Sequence, residues 1–117
     1  SIVFRSAEQY LIRAEARAQL GNLVGARQDL NAVRNRAGLG NVNLAGQSEL
    51  LEAIYRERRV ELFAEQGLRW MDLKRTGRAT EVMEPLKANW EDTHVLLPIP
   101  ESELEINPNL LPQNPGY

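Results

Sequence analysis

Two residues, Gly21 and Asn22, are all that separates two stretches of helical periodicity, and so short a connection forces the flanking helices to fold back as an antiparallel hairpin. In the first stretch, Ser6 to Leu20, the apolar positions Ala7, Tyr10, Leu11, Ala14 and Ala18 recur on one helical face. Ser6 with Gln9 three residues later reads as a capping box, and Gly21 supplies the stop. Asn22 is placed to cap the second stretch, which runs to about Ala37 with Leu23, Ala26, Leu30, Val33 and Ala37 inward, and Gly38 ends it.

This hairpin resembles a single tetratricopeptide-type unit, with small Ala14 where the partner helix must approach and Ala26, Leu30 and Val33 lining the second helix. The match is partial, because Leu30 stands where such units carry a bulky aromatic late in the second helix. One unit cannot bury its outer faces, so further repeats are expected before residue 1.

Residues 38–47 read as a loop. Ser48 is then placed to cap a third helix reaching about Gln66, with Glu49 and Glu52 in its first turn and Leu51, Ile54, Tyr55, Leu62 and Phe63 as its apolar face. Shorter helices are expected at Trp70 to Arg75 and around Ala79 to Leu86. The prolines of Val95-Leu96-Leu97-Pro98-Ile99-Pro100 demand extended backbone, and residues 90–117 read as an extended and irregular tail. The organisation is therefore a helical hairpin over 1–38, a helical region over 48–86 and the tail.

Composition narrows the function. A chain of 117 residues that is 43% hydrophobic and 26% charged has a globular profile. A net charge of −2 argues against a nucleic-acid partner. The absence of cysteine excludes disulfides, thiolate metal sites and a cysteine nucleophile. No apolar run approaches the ~20 residues of a membrane-spanning helix, and no stretch of this sequence reads as a signal peptide.

The densest chemistry is Glu57, Glu61 and Glu65 at i, i+4 and i+8, one acidic stripe on the third helix. Like charges so spaced repel, so the stripe calls for cations, and Arg58, Arg69, Lys74 or Arg75 are the expected partners. A two-carboxylate glycosidase would set its acids across a cleft rather than side by side. His94 is the only histidine, so neither a catalytic triad nor a histidine metal site has a supporting set. Gly38 and Gly40 do not lie between a strand and a helix, which excludes a phosphate-binding loop. Trp70, beside Met71 and Leu73, is expected in the core. Trp90, between Asn89 and Glu91, is expected to anchor a loop, with stacking on a sugar ring as its functional alternative. The residues thus point away from an enzyme and indicate no metal and no cofactor.

Six blocks then stand in a recognisable order. They are Ala7-Glu8-Gln9-Tyr10-Leu11-Ile12-Arg13-Ala14-Glu15-Ala16, the run Leu30 to Leu39, Ile54-Tyr55-Arg56-Glu57-Arg58-Arg59-Val60-Glu61-Leu62, Gly67-Leu68-Arg69-Trp70-Met71-Asp72-Leu73-Lys74-Arg75, Leu97-Pro98-Ile99-Pro100-Glu101-Ser102-Glu103, and Gln113-Asn114-Pro115-Gly116-Tyr117. In this order the chain resembles the C-terminal region of the SusD/RagB family of outer-membrane nutrient-binding lipoproteins. The resemblance implies a mostly α, tetratricopeptide-like helical scaffold with an irregular extended tail. It implies a non-catalytic part of a cell-surface glycan-binding protein that captures oligosaccharides for a SusC-like TonB-dependent transporter. The upstream N-terminal portion, absent from this chain, would carry the lipid anchor. Arg56, Arg58, Glu61, Arg69 and Asp72 would hold the third helix to the segment after it. No ligand-binding residue is carried over, since family ligand contacts lie mostly upstream, and the binding residues remain unknown. The alternative function is a helical-repeat module that binds peptide or protein.

Overall fold

The computed structural model describes residues 6–62 and 67–117. They form six α-helices, α1 (Ser6–Gln19), α2 (Leu23–Arg36), α3 (Gln47–Glu61), α4 (Leu68–Arg75), α5 (Ala79–Met83) and α6 (Glu101–Ile106), with 3-10 turns at Asp92–Val95 and Pro108–Leu110 and no strand among the described residues. The chain divides into two compact units, Ser1–Arg69 and Trp70–Tyr117. Among the described residues no helix is long and apolar enough to cross a membrane.

In the first unit the hairpin forms as its spacing requires. Gly21 takes φ +85°, a left-handed conformation that lets Asn22 N–H reach the Arg17 carbonyl at 2.8 Å while Gly21 N–H reaches that of Ala18 at 3.2 Å. The Asn22 side chain then accepts from Gly25 N–H, so one residue finishes α1 and caps α2. Ala7, Leu11, Ala14 and Ala18 of α1, Ala26, Leu30 and Val33 of α2, and Leu50 and Ile54 of α3 form one buried cluster. Alanine dominates the α1 seam, so the helices approach closely, and four large side chains (Leu11, Leu30, Leu50, Ile54) fill the remaining space without exposure. Each such burial stabilises by about 1.5–3 kcal/mol.

Positions in all three helices depart from the periodicity. Tyr10 and Ala37, expected inward, are exposed. In α3 the buried side is Leu50, Ile54, Glu57 and Arg58, with Leu51 and Tyr55 only half-buried. That helix also begins at Gln47 after Gly46, without a side-chain cap from Ser48. The Gln47 amide donates instead to the Ala18 carbonyl at 2.8 Å, which ties the start of α3 to the end of α1. The expected continuation of α3 through Phe63, Glu65 and Gln66 lies outside the described residues.

Polar contacts complete this unit. Asp29 is buried on α2, where Arg13 grips its carboxylate with Nε at 2.9 Å and Nη2 at 2.7 Å and Arg17 adds Nη1 at 2.9 Å. Arg13 and Arg17 are one helical turn apart, so α1 offers two guanidinium groups to one acid of α2. The hydrogen bond to Asp29, and next that carboxylate's charge, hold the Arg13 guanidinium above its ordinary pKa. Glu57 accepts from Arg34 of α2 at 3.1 Å, not from Arg58, Arg69, Lys74 or Arg75 as the sequence suggested. The cause is topological, because α2 lies against α3 and brings Arg34 to it.

The loop after α2 lies along that helix. Asn31 donates to the Val42 carbonyl at 3.2 Å and accepts from Val42 N–H at 2.8 Å, and Arg34 Nε donates to the Gly40 carbonyl at 2.8 Å. Val42 and Leu44 pack on the core cluster. The loop is thereby held by side chains that satisfy its backbone groups without a ladder.

In the second unit only Leu73 and Ala79 are buried apolar residues, and hydrogen bonds supply much of the order. Leu96 begins an extended segment whose Pro98 and Pro100 have no N–H. The Gln113 amide accepts from Ile99 N–H at 2.8 Å and donates to the Ile99 carbonyl at 2.9 Å. Asn114 donates to the Leu97 carbonyl at 2.7 Å and Tyr117 Oη to that of Leu96 at 2.9 Å. The tail that reads as irregular also contains α6, begun after Pro100 with Glu101 and Glu103 in its first turn.

Candidate functional site

The aromatic cluster of the second unit is built on α4, α5 and the turns that follow. Trp70 stands near the start of α4, and Trp90 follows the turns that leave α5, where Trp90 N–H bonds the Lys87 carbonyl. The two indoles meet edge to face, with centroids 6.1 Å apart and planes at 83°. His94 packs on Trp90 in the same way, at 5.5 Å and 87°. Such perpendicular contacts are the favoured arrangement for aromatic quadrupoles. The Lys74 ammonium lies 5.9 Å from the Trp70 ring centroid.

Trp90 is fixed by a short relay. Its Nε1–H donates to Thr80 Oγ1 at 3.1 Å, and the Thr80 hydroxyl donates to Asp92 Oδ1 at 2.8 Å. The His94 ring is fixed as well, since its Nδ1 accepts from Glu91 N–H at 3.2 Å. In the neutral imidazole that bond places the proton on Nε2, which can then donate.

These side chains border a cleft of about 580 Å³, the size of a small-molecule site. Half-buried Met83 and Trp90 form part of its lining, and exposed Lys87, Ala88 and Asn89 border it beside His94. The cleft pairs a rigid aromatic wall with amide, ammonium and imidazole donors. It has no paired carboxylates and no nucleophile beside a base among its lining residues.

The sequence-selected residues divide accordingly. Trp90 and His94 meet in the cleft. Trp70, expected in the core, is instead 37% exposed and faces the same space. Of the acidic stripe, Glu57 pairs with Arg34, Glu61 is half-buried, and Glu65 lies outside the described residues. Among the described residues no group of three or more His, Asp and Glu side chains is arranged to hold a metal ion. Sequence reasoning missed Thr80, Lys87 and Asn89, and no linear pattern joins Thr80 to Trp90 ten residues later. A second, shallower groove of about 430 Å³ runs along α1 past Ser6, Gln9, Tyr10, Ile12 and Arg13. Among the described residues its walls come from one helix, and the Arg13 guanidinium already covers the Tyr10 ring at 5.3 Å.

With this geometry in place, similarity to known proteins decides the family. The profile of the SusD family matches residues 1–117. The chain belongs to the SusD family. It is 38% identical over 125 residues to SusD-like protein P38 of Formosa agariphila and 40% identical over 130 residues to SusD-like protein P25 of the same organism. Each comparison covers 99% of this chain and 24% of the relative. The crystal structure of a SusD-like protein from Bacteroides fragilis superposes with a TM-score of 0.84 at 31% identity, over 99% of this chain and 26% of that one. The chain thus spans about a quarter of the length of the relatives it matches. The mostly helical, tetratricopeptide-like architecture expected of the SusD family is the one observed.

Proposed function

We propose that this chain is the C-terminal scaffold portion of a longer cell-surface lipoprotein that captures oligosaccharides at the outer membrane and passes them, chemically unchanged, to a SusC-like TonB-dependent transporter. The observation that carries this reading is the family match along the whole chain. Physical features support it. The buried carboxylates Asp29 and Glu57 are both neutralised by arginine, an arrangement suited to holding helices rather than to acid–base work. The solvent-facing side of α1 carries Tyr10 and Ile12, as expected of a repeat that stacks on another. In this reading the additional length of the relatives includes an upstream portion that would cover this side and carry the lipid anchor.

The test uses the protein extended by the upstream sequence. Calorimetric titration with oligosaccharides, together with co-purification from membranes with a TonB-dependent transporter, is expected to show binding in both. Release of a shortened sugar would refute the non-catalytic reading. Binding of peptides, with no sugar bound, would establish the peptide-binding alternative in its place.

A further inference from the structure

We infer that the Trp70–Trp90–His94 cleft is a binding subsite for one neutral pyranose ring of the captured glycan. The inference rests on the proposed oligosaccharide capture and assigns part of it to this chain's second unit.

The first argument is the shape of the wall. Trp70 and Trp90 stand at 83° and form a corner, not two parallel plates. A flat heteroaromatic ligand gains most between parallel faces. A puckered ring fits a corner, laying its C–H face on one indole and turning an edge toward the other. The second argument is pre-organisation. Thr80 and Asp92 hold the Trp90 indole through its own N–H, so the ring keeps its orientation without ligand and little ordering is needed on binding.

The third argument is the polar rim. Hydroxyl groups both donate and accept, and the Asn89 amide can answer in both senses. His94 Nε2–H and the Lys87 ammonium add donors at the same rim. Charge narrows the ligand further. Lys74 over Trp70 and Lys87 at the rim oppose a cationic guest in what would otherwise resemble an aromatic cage. Exposed Glu91 and Asp92 beside Trp90 oppose an anionic one, which leaves an uncharged sugar.

The experiment titrates the protein, extended by its upstream sequence, with maltohexaose, cellohexaose, mannohexaose, xylohexaose and oligogalacturonate while following tryptophan emission. For a neutral hexasaccharide that binds, Trp90→Ala and Ala88→Trp are each expected to weaken affinity roughly tenfold or more, and Trp90→Phe to retain most of it. Ala88 is exposed, so Ala88→Trp fills the cleft without removing a packed side chain and decides the matter should Trp90→Ala fail to fold. Unchanged affinity in Ala88→Trp overturns the subsite and leaves oligosaccharide capture standing. Binding confined to oligogalacturonate overturns the assignment to a neutral ring. Failure of the unmutated protein to bind any of the five overturns both the subsite and the capture reading.

Discussion

The side-chain amide of Gln113 closes both backbone hydrogen bonds of Ile99, donating to its carbonyl at 2.9 Å and accepting from its N–H at 2.8 Å. Ile99 stands between Pro98 and Pro100, which have no N–H to offer, so no regular ladder can form there. A primary amide presents one donor and one acceptor at the spacing of a peptide group and so substitutes for a neighbouring strand. Asn31 does the same for Val42 in the other unit. In both units an amide side chain lets an irregular segment lie in fixed register without a sheet.

Replacing Gln113 by Met keeps the length of the side chain and removes the amide. The expected loss is about 1–3 kcal/mol, the cost of leaving partly buried backbone groups unsatisfied. Hydrogen exchange at the Ile99 amide should accelerate together with the drop in denaturation midpoint. A protected Ile99 amide in the variant would show that another group holds the segment.

Asp29→Ala is expected to destabilise the hairpin by about 1–3 kcal/mol, below the figure for a fully buried pair because Arg13 and Arg17 can turn toward water once released. A double-mutant cycle with Arg13→Ala in urea should return a favourable coupling between the two residues. Strict additivity would mean that the bidentate contact contributes nothing.

Leu30→Ala should cost about 2–5 kcal/mol, since Leu30 has no exposure and its neighbours are tightly packed. Leu20→Ala, at 86% exposure beside the Gly21-Asn22 turn, should stay within about 0.5 kcal/mol. Thermal denaturation of the pair separates burial from hydrophobicity as such.

Gly116→Ala carries two penalties. Gly116 has φ +92°, and an added Cβ would collide with the Thr93 side chain. The backbone term alone is about 1–2 kcal/mol. The companion Gly116→Ala/Thr93→Ala should recover the part due to the Thr93 hydroxyl and leave both the backbone part and the clash with the Thr93 Cβ, which alanine keeps, as read from the melting midpoints. No recovery would assign the effect to φ and the Cβ contact, and none of it to the hydroxyl.

What the sequence disclosed follows from how local each cause is. Gly21, Asn22 and the alanine spacing specify the hairpin within a few residues of themselves, so its caps and most of its buried face were readable. Asp29 was not, because the arginines that make its burial tolerable lie 12 and 16 residues away on another helix. On α3 the sequence placed Ile54 and Leu62 inward correctly but took Leu51 in place of Leu50, because both are apolar and only the packing of α1 and α2 chooses between them. Helix α6 was hidden by its proline flanks, although Glu101 to Ile106 is an acceptable helical run. For the cleft, Trp90 was noticed as an aromatic with polar neighbours. Its orientation depends on Thr80, and only the fold shows that pairing.

Thr80→Val tests whether that pairing sets the cleft. Valine matches threonine in shape and lacks the hydroxyl, so the Trp90 Nε1–H loses its acceptor and Asp92 its donor. Both groups are near solvent, which limits the stability cost to about 0.5–1.5 kcal/mol. The indole should then lose its fixed orientation. In NMR spectra the Trp90 indole N–H is expected to exchange faster with water, while that of Trp70 changes little. A wall that relies on pre-organisation should also bind its ligand more weakly although every lining side chain remains. Unaltered exchange of the Trp90 N–H would mean that contacts with Trp70 and His94 alone hold the ring, and that the hydroxyl relay is incidental.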